Sequence, residues 1–260
     1  MTKKALLLIL TLLATSAMWA QSVPPTGTKC ITLEVQPGEA FQFGLIARPD
    51  ARQAWIELQE GQFTPLSIGD NPNVPTVFKY TSTSGRVKIY GAFHIFGCPA
   101  NGAVITGIDA TNFTPLEQLY CDNNALTTLS VKGCNKLRLL SCATNALTSL
   151  DLSGCTALEQ LSCFKNELTS LTLSSAIQLQ QLNCAQNALT ALDLSACSKL
   201  KAVYAGENQI ASIALPATND KRSLRLPKQD SEHRLEQVAS AGGPRHLRKP
   251  VDRSRSPLIS

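Results

Sequence analysis

Seven cysteines of this 260-residue chain fall on two registers. Cys121, Cys142, Cys163 and Cys184 recur at a fixed 21-residue step; Cys134, Cys155 and Cys197 keep the same step, with Ala176 filling the gap. Thiols so arranged could ligate a soft metal, close disulfides, or serve as small apolar core groups. Zinc sites usually draw on C-x-x-C pairs or Cys/His clusters. No C-x-x-C occurs, and the three histidines, at 94, 233 and 246, lie outside the repeats. Neighbouring parallel strands lie about 4.8 Å apart, close enough for a bridge, but in-register side chains point the same way rather than at each other. The interchange with Ala176, and with Ala205 in the last turn, favours a core thiol. Disulfide and metal remain as alternatives, with no metal site and no cofactor expected.

Other chemistry is not marked out. The chain has no H-E-x-x-H, no G-x-S-x-G and no Gly-rich phosphate loop. Its repeat carboxylates are scattered at variable places, with no pair set for acid–base work. A binding module is expected, not an enzyme.

The elements that carry the cysteines are repeats. Turns start at Leu116, Leu137, Leu158, Leu179 and Leu200, and read Leu-x-x-Leu-x-Cys-x-x-Asn-x-Leu-Thr-x-Leu-x-Leu. A fixed period near 20 residues with this spacing is that of a leucine-rich repeat, one short parallel strand per turn. A lone turn buries too little apolar surface to offset its chain entropy; stacking covers both open faces. The expected fold is a right-handed leucine-rich-repeat solenoid with a small all-β N-terminal cap and a disordered basic C-terminal tail. At the ninth place stand Asn124, Asn145, Asn166, Asn187 and Asn208. Their expected role is to hydrogen-bond backbone groups at the bend of their own and the next turn. Thr127, Thr148, Thr169 and Thr190 should do similar local work.

The flanks differ. Residues 1–20 combine Lys3 and Lys4 with an apolar run and small residues, the pattern of a secretory signal peptide. No Cys near its end suggests a lipid anchor, and no later segment is long and apolar enough to span a membrane. Residues 21–92 alternate apolar and polar at 31–35, 41–43, 55–58, 77–80 and 87–90, with Pro/Gly/Asn turn signals between. They read as the β-rich cap, with Trp55, Phe78 and Tyr80 in its core. Residues 93–219 form the repeats, of which 93–115 is a degenerate first turn: Phe93, Phe96, Cys98 and Asn101 match the first half and Ile105 to Asp109 the second. Residues 220–260 carry 10 Lys/Arg against 5 Asp/Glu. The chain has 24 and 19, so residues 1–219 balance at 14 each and the +5 excess sits wholly in the tail. That tail reads as disordered. It is a basic arm for acidic partners, a solvated extension, or sequence acquired by frameshift or truncation.

Specificity should lie where the pattern is silent. Places two, three, five, seven and eight of each turn are expected to point outward from the concave face. Exposed aromatic and cationic side chains anchor protein interfaces, which singles out Tyr120, Arg138, Phe164, Lys165 and Tyr204, with Asp122, Glu159 and Lys201 beside them. Five or six turns give a strip of about 25–30 Å, room for one standard patch.

The turns, with Cys where a sixth-place Leu is usual, as in Leu158-Glu-Gln-Leu-Ser-Cys163-Phe-Lys-Asn166, resemble the cysteine-ladder repeats of internalin J-like secreted bacterial leucine-rich-repeat proteins. The likeness covers about residues 93–215. It implies a secreted or surface-exposed adhesion or host-interaction factor, acting as a monomer on a protein ligand of a host or neighbouring cell, with no nucleic acid expected. The β-type cap departs from that pattern, where a helical cap precedes the repeats. Leu215-Pro-Ala-Thr-Asn219 lacks the Gly of an LPxTG wall anchor.

Overall fold

A computed structural model describes residues 23–216. The leader at 1–20 and the basic tail at 220–260, with His233 and His246, lie outside the described residues. What is described is built wholly of strands and connecting turns.

Six strands precede the repeats: β1 (Cys30–Val35), β2 (Ala40–Ala47), β3 (Gln53–Gln59), β4 (Gln62–Ser67), β5 (Thr76–Thr81) and β6 (Arg86–Gly91). Alternating burial in β1 and β6 follows the period of two that their sequences show. β4 lies outside the stretches whose alternation marks a strand. It contains Pro65 and sits at a sheet edge, the position where a strand tolerates a residue without an N–H.

The repeats contribute two sets of strands. β7 (Phe93–Gly97), β9 (Gln118–Tyr120), β11 (Leu139–Ser141), β12 (Gln160–Ser162), β13 (Gln181–Asn183) and β15 (Ala202–Tyr204) pair in parallel, one per turn. On the other side run β8 (Ile105–Asp109), β10 (Thr128–Ser130), β14 (Ala191–Asp193) and β16 (Ser212–Ala214). The solenoid therefore has about six turns.

Two sheets pass through the junction of cap and repeats. One runs β5-β2-β7-β9-β11-β12-β13-β15, the other β4-β3-β6-β1-β8-β10. The pairings of the cap strands are all antiparallel, the last being β2 with β7 and β1 with β8, and every pairing beyond is parallel. The first turn's strand edges are thereby hydrogen-bonded rather than left as templates for another chain. The two extra residues of the first turn are used here, since Gln36 N donates to Val104 O at 2.8 Å.

One continuous core fills the space between the sheets. At the cap end it is aromatic. Phe43 stacks on Phe78, Tyr80 and Phe96 at 5.4, 6.3 and 5.9 Å, and Phe93 meets Phe113 at 4.7 Å. Trp55 is buried in the cap. Through the repeats, Leu and Cys replace the rings. Phe113 stands one turn before Cys134, so an aromatic ring opens the second cysteine column. The buried Glu57 carboxylate is satisfied by Gly61 N at 2.8 Å, Tyr90 Oη at 2.7 Å and Lys88 Nζ at 3.3 Å.

Candidate functional site

The cysteines form packing columns. All nine are reduced in the structure, and all but the half-buried Cys30 are buried. Cys121 and Cys142 direct Sγ to the next turn's carbonyls, Ser141 O at 3.4 Å and Ser162 O at 3.5 Å. Cys134 and Cys155 point back, to Ala110 O at 3.1 Å and Val131 O at 3.3 Å. Burial pushes every one of these thiols up: Cys134 and Cys197 to about 11, Cys155 and Cys184 to about 12, and Cys98, Cys121, Cys142 and Cys163 strongly. A thiol held protonated is a poor nucleophile and a poor ligand. Among the described residues no three His, Cys, Asp or Glu side chains gather as a metal-binding group.

The asparagines bond backbone, but they reach back to the preceding turn rather than forward. Asn145 Nδ2 donates to Cys142 O at 3.1 Å and Ala143 O at 3.2 Å in its own turn, and to Cys121 O at 3.0 Å in the one before. Its Oδ1 accepts from Leu126 N at 3.0 Å, again in the preceding turn. Asn166, Asn187 and Asn208 repeat the arrangement on Leu147, Leu168 and Leu189. Asn124 reaches Cys98 O at 2.9 Å. In the first turn, where no turn precedes, Asn101 clamps the cap instead, accepting from Gln42 N at 2.7 Å and donating to Gln42 O at 3.0 Å. Thr127, Thr148, Thr169 and Thr190 are all exposed, and Thr127 Oγ1 bonds Thr106 O at 3.4 Å.

The eighth place is not a free surface position. Ala100, Asn123, Thr144, Lys165, Gln186 and Glu207 all have φ between 53° and 57°. The left-handed bend aims each N–H along the stack, as in Thr144 N to Phe164 O at 2.8 Å and Lys165 N to Ala185 O at 2.9 Å. Lys165 is thus an exposed side chain on a constrained bend, displaced from the strand face.

The remaining candidates divide. Tyr120 and Tyr204 stand on β9 and β15, at the outward end of the same strand position. With Leu139, Ser141, Ser162 and Asn183 between them they line a shallow concavity of about 290 Å³. Tyr204 is 50% exposed, and Tyr120 is half-buried with its hydroxyl on Gln118 Oε1 at 2.9 Å. The charged candidates are already engaged across turns. Arg138 pairs with Glu159 at 3.0 Å, and Lys201 Nζ donates to Gln180 Oε1 at 2.8 Å. Asp122 Oδ1 accepts from Ser141 Oγ at 2.7 Å and Ala143 N at 2.8 Å. Phe164 is half-buried at the seventh place, beside the bend. The structure therefore brings the two tyrosines to one surface and turns the charges into rungs along its border.

A second concavity, of about 670 Å³, lies where the same sheet crosses from cap to repeats, and the sequence did not announce it. Its floor includes Gly44 and Gly97, directly opposite each other on β2 and β7. Val77, 62% exposed, and Ile46 and Ile95 adjoin them; Pro72 and Pro75 form one wall and Tyr120 the other. His94 lines the groove too. It sits in the first turn's own strand β7, not outside the repeats. Its Nδ1 is buried without a hydrogen-bond partner. Burial, opposed by Glu117 and reinforced by Arg48, holds its imidazole below the ordinary histidine value. Arg48 and Glu117 are ion-paired at the rim. The available signal was the pair of strand-interior glycines, which often mark a close approach of ligand or backbone.

No protein-family model matches the sequence, and no match is found among curated proteins. Among solved structures, the chain is similar to the functional domain of InlJ from Listeria monocytogenes, described as including a cysteine ladder. The match has 35% identity and a TM-score of 0.44, and covers 46% of this chain and 26% of that one. The chain thus spans about a quarter of the length of the protein it matches.

Proposed function

We propose that this protein is a secreted or surface-exposed interaction module that binds a protein ligand of a host or neighbouring cell on the face formed by β7, β9, β11, β12, β13 and β15. The observation that carries this reading is the pair of outward tyrosines, Tyr120 and Tyr204, at the two ends of a floor of small side chains. Four strand spacings separate them, about 19 Å at ~4.8 Å each. Rigid aromatic anchors bordered by polar groups are the usual energetic centre of a protein interface. The Arg138–Glu159 pair is exposed and stays hydrated, which suits a rim that orients a partner. The leader at 1–20 supports export, and the residue pattern shared with internalin J-like proteins supports the same class.

The test is a panel of purified host-surface and extracellular-matrix proteins, measured by surface plasmon resonance against immobilised full chain. A genuine partner should lose about tenfold or more in affinity with Tyr120→Ala or Tyr204→Ala, on the scale of ~1.4 kcal/mol per decade. Phe164→Ala, beside the bend, should cost less. No binding across the panel, or binding indifferent to both tyrosines, would remove the concave face from consideration.

A further inference from the structure

We propose that the outer edge of β15 is a docking surface for this chain's own residues 221–229, which pair with it as one further parallel strand and close the end of the solenoid. The inference goes beyond the protein-binding reading of the face and does not rest on it.

The last turn shows what an occupant must supply. In the turns from Leu137, Leu158 and Leu179, four N–H groups around the bend are satisfied by the turn that follows. In the turn from Leu179 these are Cys184 N on Tyr204 O at 2.8 Å, Gln186 N on Gly206 O at 2.9 Å, Asn187 N on Glu207 O at 3.2 Å and Leu189 N on Asn208 Oδ1 at 3.0 Å. Their equivalents one turn on, Ala205, Glu207, Asn208 and Ile210, have no N–H acceptor among the described residues. A row of unpaired N–H groups on a sheet edge is a template for another strand. Val203 is as completely buried as Leu182 before it, whereas Ile210 is 7% exposed where Leu189 is 0%. The occupant therefore belongs over the β15 half of the turn.

The chain supplies a match in phase. The repeat step that leads from Leu179 to Leu200 leads next to Lys221, and residues 221–229 read Lys-Arg-Ser-Leu-Arg-Leu-Pro-Lys-Gln. These residues lie outside the described ones; their sequence and its register carry the match. Leu224 and Leu226 take the fourth and sixth places, those of Val203 and Ala205, and Gln229 takes the ninth place, that of Asn208. Pro227 is admissible at the seventh place. No N–H there, from Asp122 to Gly206, gives a backbone hydrogen bond, and Pro99 already holds that place in the first turn. Lys228 falls at the left-handed eighth place, which Lys165 occupies three turns earlier. Eighth-place side chains meet from turn to turn, as Gln186 Nε2 meets Glu207 Oε1 at 2.9 Å, so Lys228 brings a counter-charge to Glu207.

The departures are those of a terminus. Lys221 replaces the first-place Leu, and at the end of a stack its stem covers apolar surface while its ammonium stays in water. Beyond Gln229 the pattern stops, with Ser231, Arg234 and Glu236 where the repeat has Leu. The match is thus a half-turn, and Arg222, Arg225 and Lys228 make its outer edge a poor template for further strands. Arg225 comes to stand beside Tyr204, adding a cation next to that ring on the candidate face.

Amide hydrogen exchange of the nitrogen-15-labelled full chain is the test. The amides of Ala205, Glu207 and Asn208 are expected to be protected by about a hundredfold or more over an unstructured amide. Leu224→Asp combined with Leu226→Asp should abolish that protection and leave the Cys142, Thr144 and Cys163 amides unchanged. Gln229→Ala, mild enough to spare the fold, should release Ile210 N–H alone, and Pro227→Ala should release none. A nuclear Overhauser contact between the Val203 and Leu224 methyls should fix the register. The inference is overturned if the three amides exchange freely in the full chain, or if they stay protected in the double variant. Retained Ile210 protection in Gln229→Ala also overturns it. So does protection that rises with protein concentration, which would make the occupant a second copy of the chain.

Discussion

Raising the pH from 8 to 10 should unfold this protein through its cysteines. In the unfolded chain a thiol ionises near 9.0. In the fold, burial raises Cys184 to about 12 and pushes Cys98, Cys121, Cys142 and Cys163 strongly upward, so none of the five ionises by pH 10. A raised folded-state pKa means that stability is fully present below 9.0 and falls as pH rises, because the unfolded state releases protons the native state keeps. At pH 8 the effect is almost nil. At pH 10 each thiol costs about 1.4 kcal/mol, and the five together about 7 kcal/mol. A typical domain has only about 5–15 kcal/mol in all. The assay is urea unfolding at pH 8, 9 and 10 under a reductant, followed by fluorescence of the buried Trp55. Tyrosine and lysine also titrate in this range, so the decisive comparison is with the double variant Cys142→Ala, Cys163→Ala. Its loss between pH 8 and 10 should be smaller by about 3 kcal/mol. If both proteins lose the same stability, the columns are not what makes the fold alkali-sensitive, and the reasoning fails.

Three further outcomes follow from the bends and ladders. Asn145→Ala leaves Leu126 N–H without its side-chain partner, while the Cys121 carbonyl keeps the Asn124 amide, and should cost about 2 kcal/mol in a urea titration at neutral pH. Gly133→Ala should cost a similar amount by differential scanning calorimetry: its φ is +75° and the new Cβ would lie 2.2 Å from Asn112 Oδ1. Thr144→Asn should stabilise by about 1 kcal/mol, because a β-branched residue is held at φ 55° where Asn is tolerated; a lowered midpoint would show that Thr144 makes a compensating contact.

The residues that were legible in the sequence are those that recur. Leu119, Leu140, Leu161 and Leu182 fall on the inward side of β9, β11, β12 and β13 as their period requires. The direction in which Asn145 bonds was not legible, since a 21-residue step is the same read forwards or backwards. Nor was the left-handed eighth place, because Ala100, Thr144 and Lys165 share no side-chain chemistry; their backbone is set by the stack around them. Pro65 hid β4, whose edge position is a tertiary fact. Of the candidate site, Tyr120 and Tyr204 could be placed on the face from spacing alone. Arg138, Glu159 and Lys201 could not be known to pair across turns. The junction groove was least legible of all, because it is made by side chains that Gly44 and Gly97 lack, and by a cap loop that folds over them.

The backward reach of the asparagines gives assembly a direction. Each Leu N–H at the bend, such as Leu147, is satisfied by an amide belonging to the turn that follows it, here Asn166. A chain emerging N-terminus first, from a ribosome or through an export channel, therefore always carries one bend whose partner has not yet appeared. The newest turn is provisional until its successor docks, and every arrival locks the turn behind it. With the Asn101 clamp on Gln42 closing the first step against the cap, the solenoid is suited to grow as a ratchet from its cap outward.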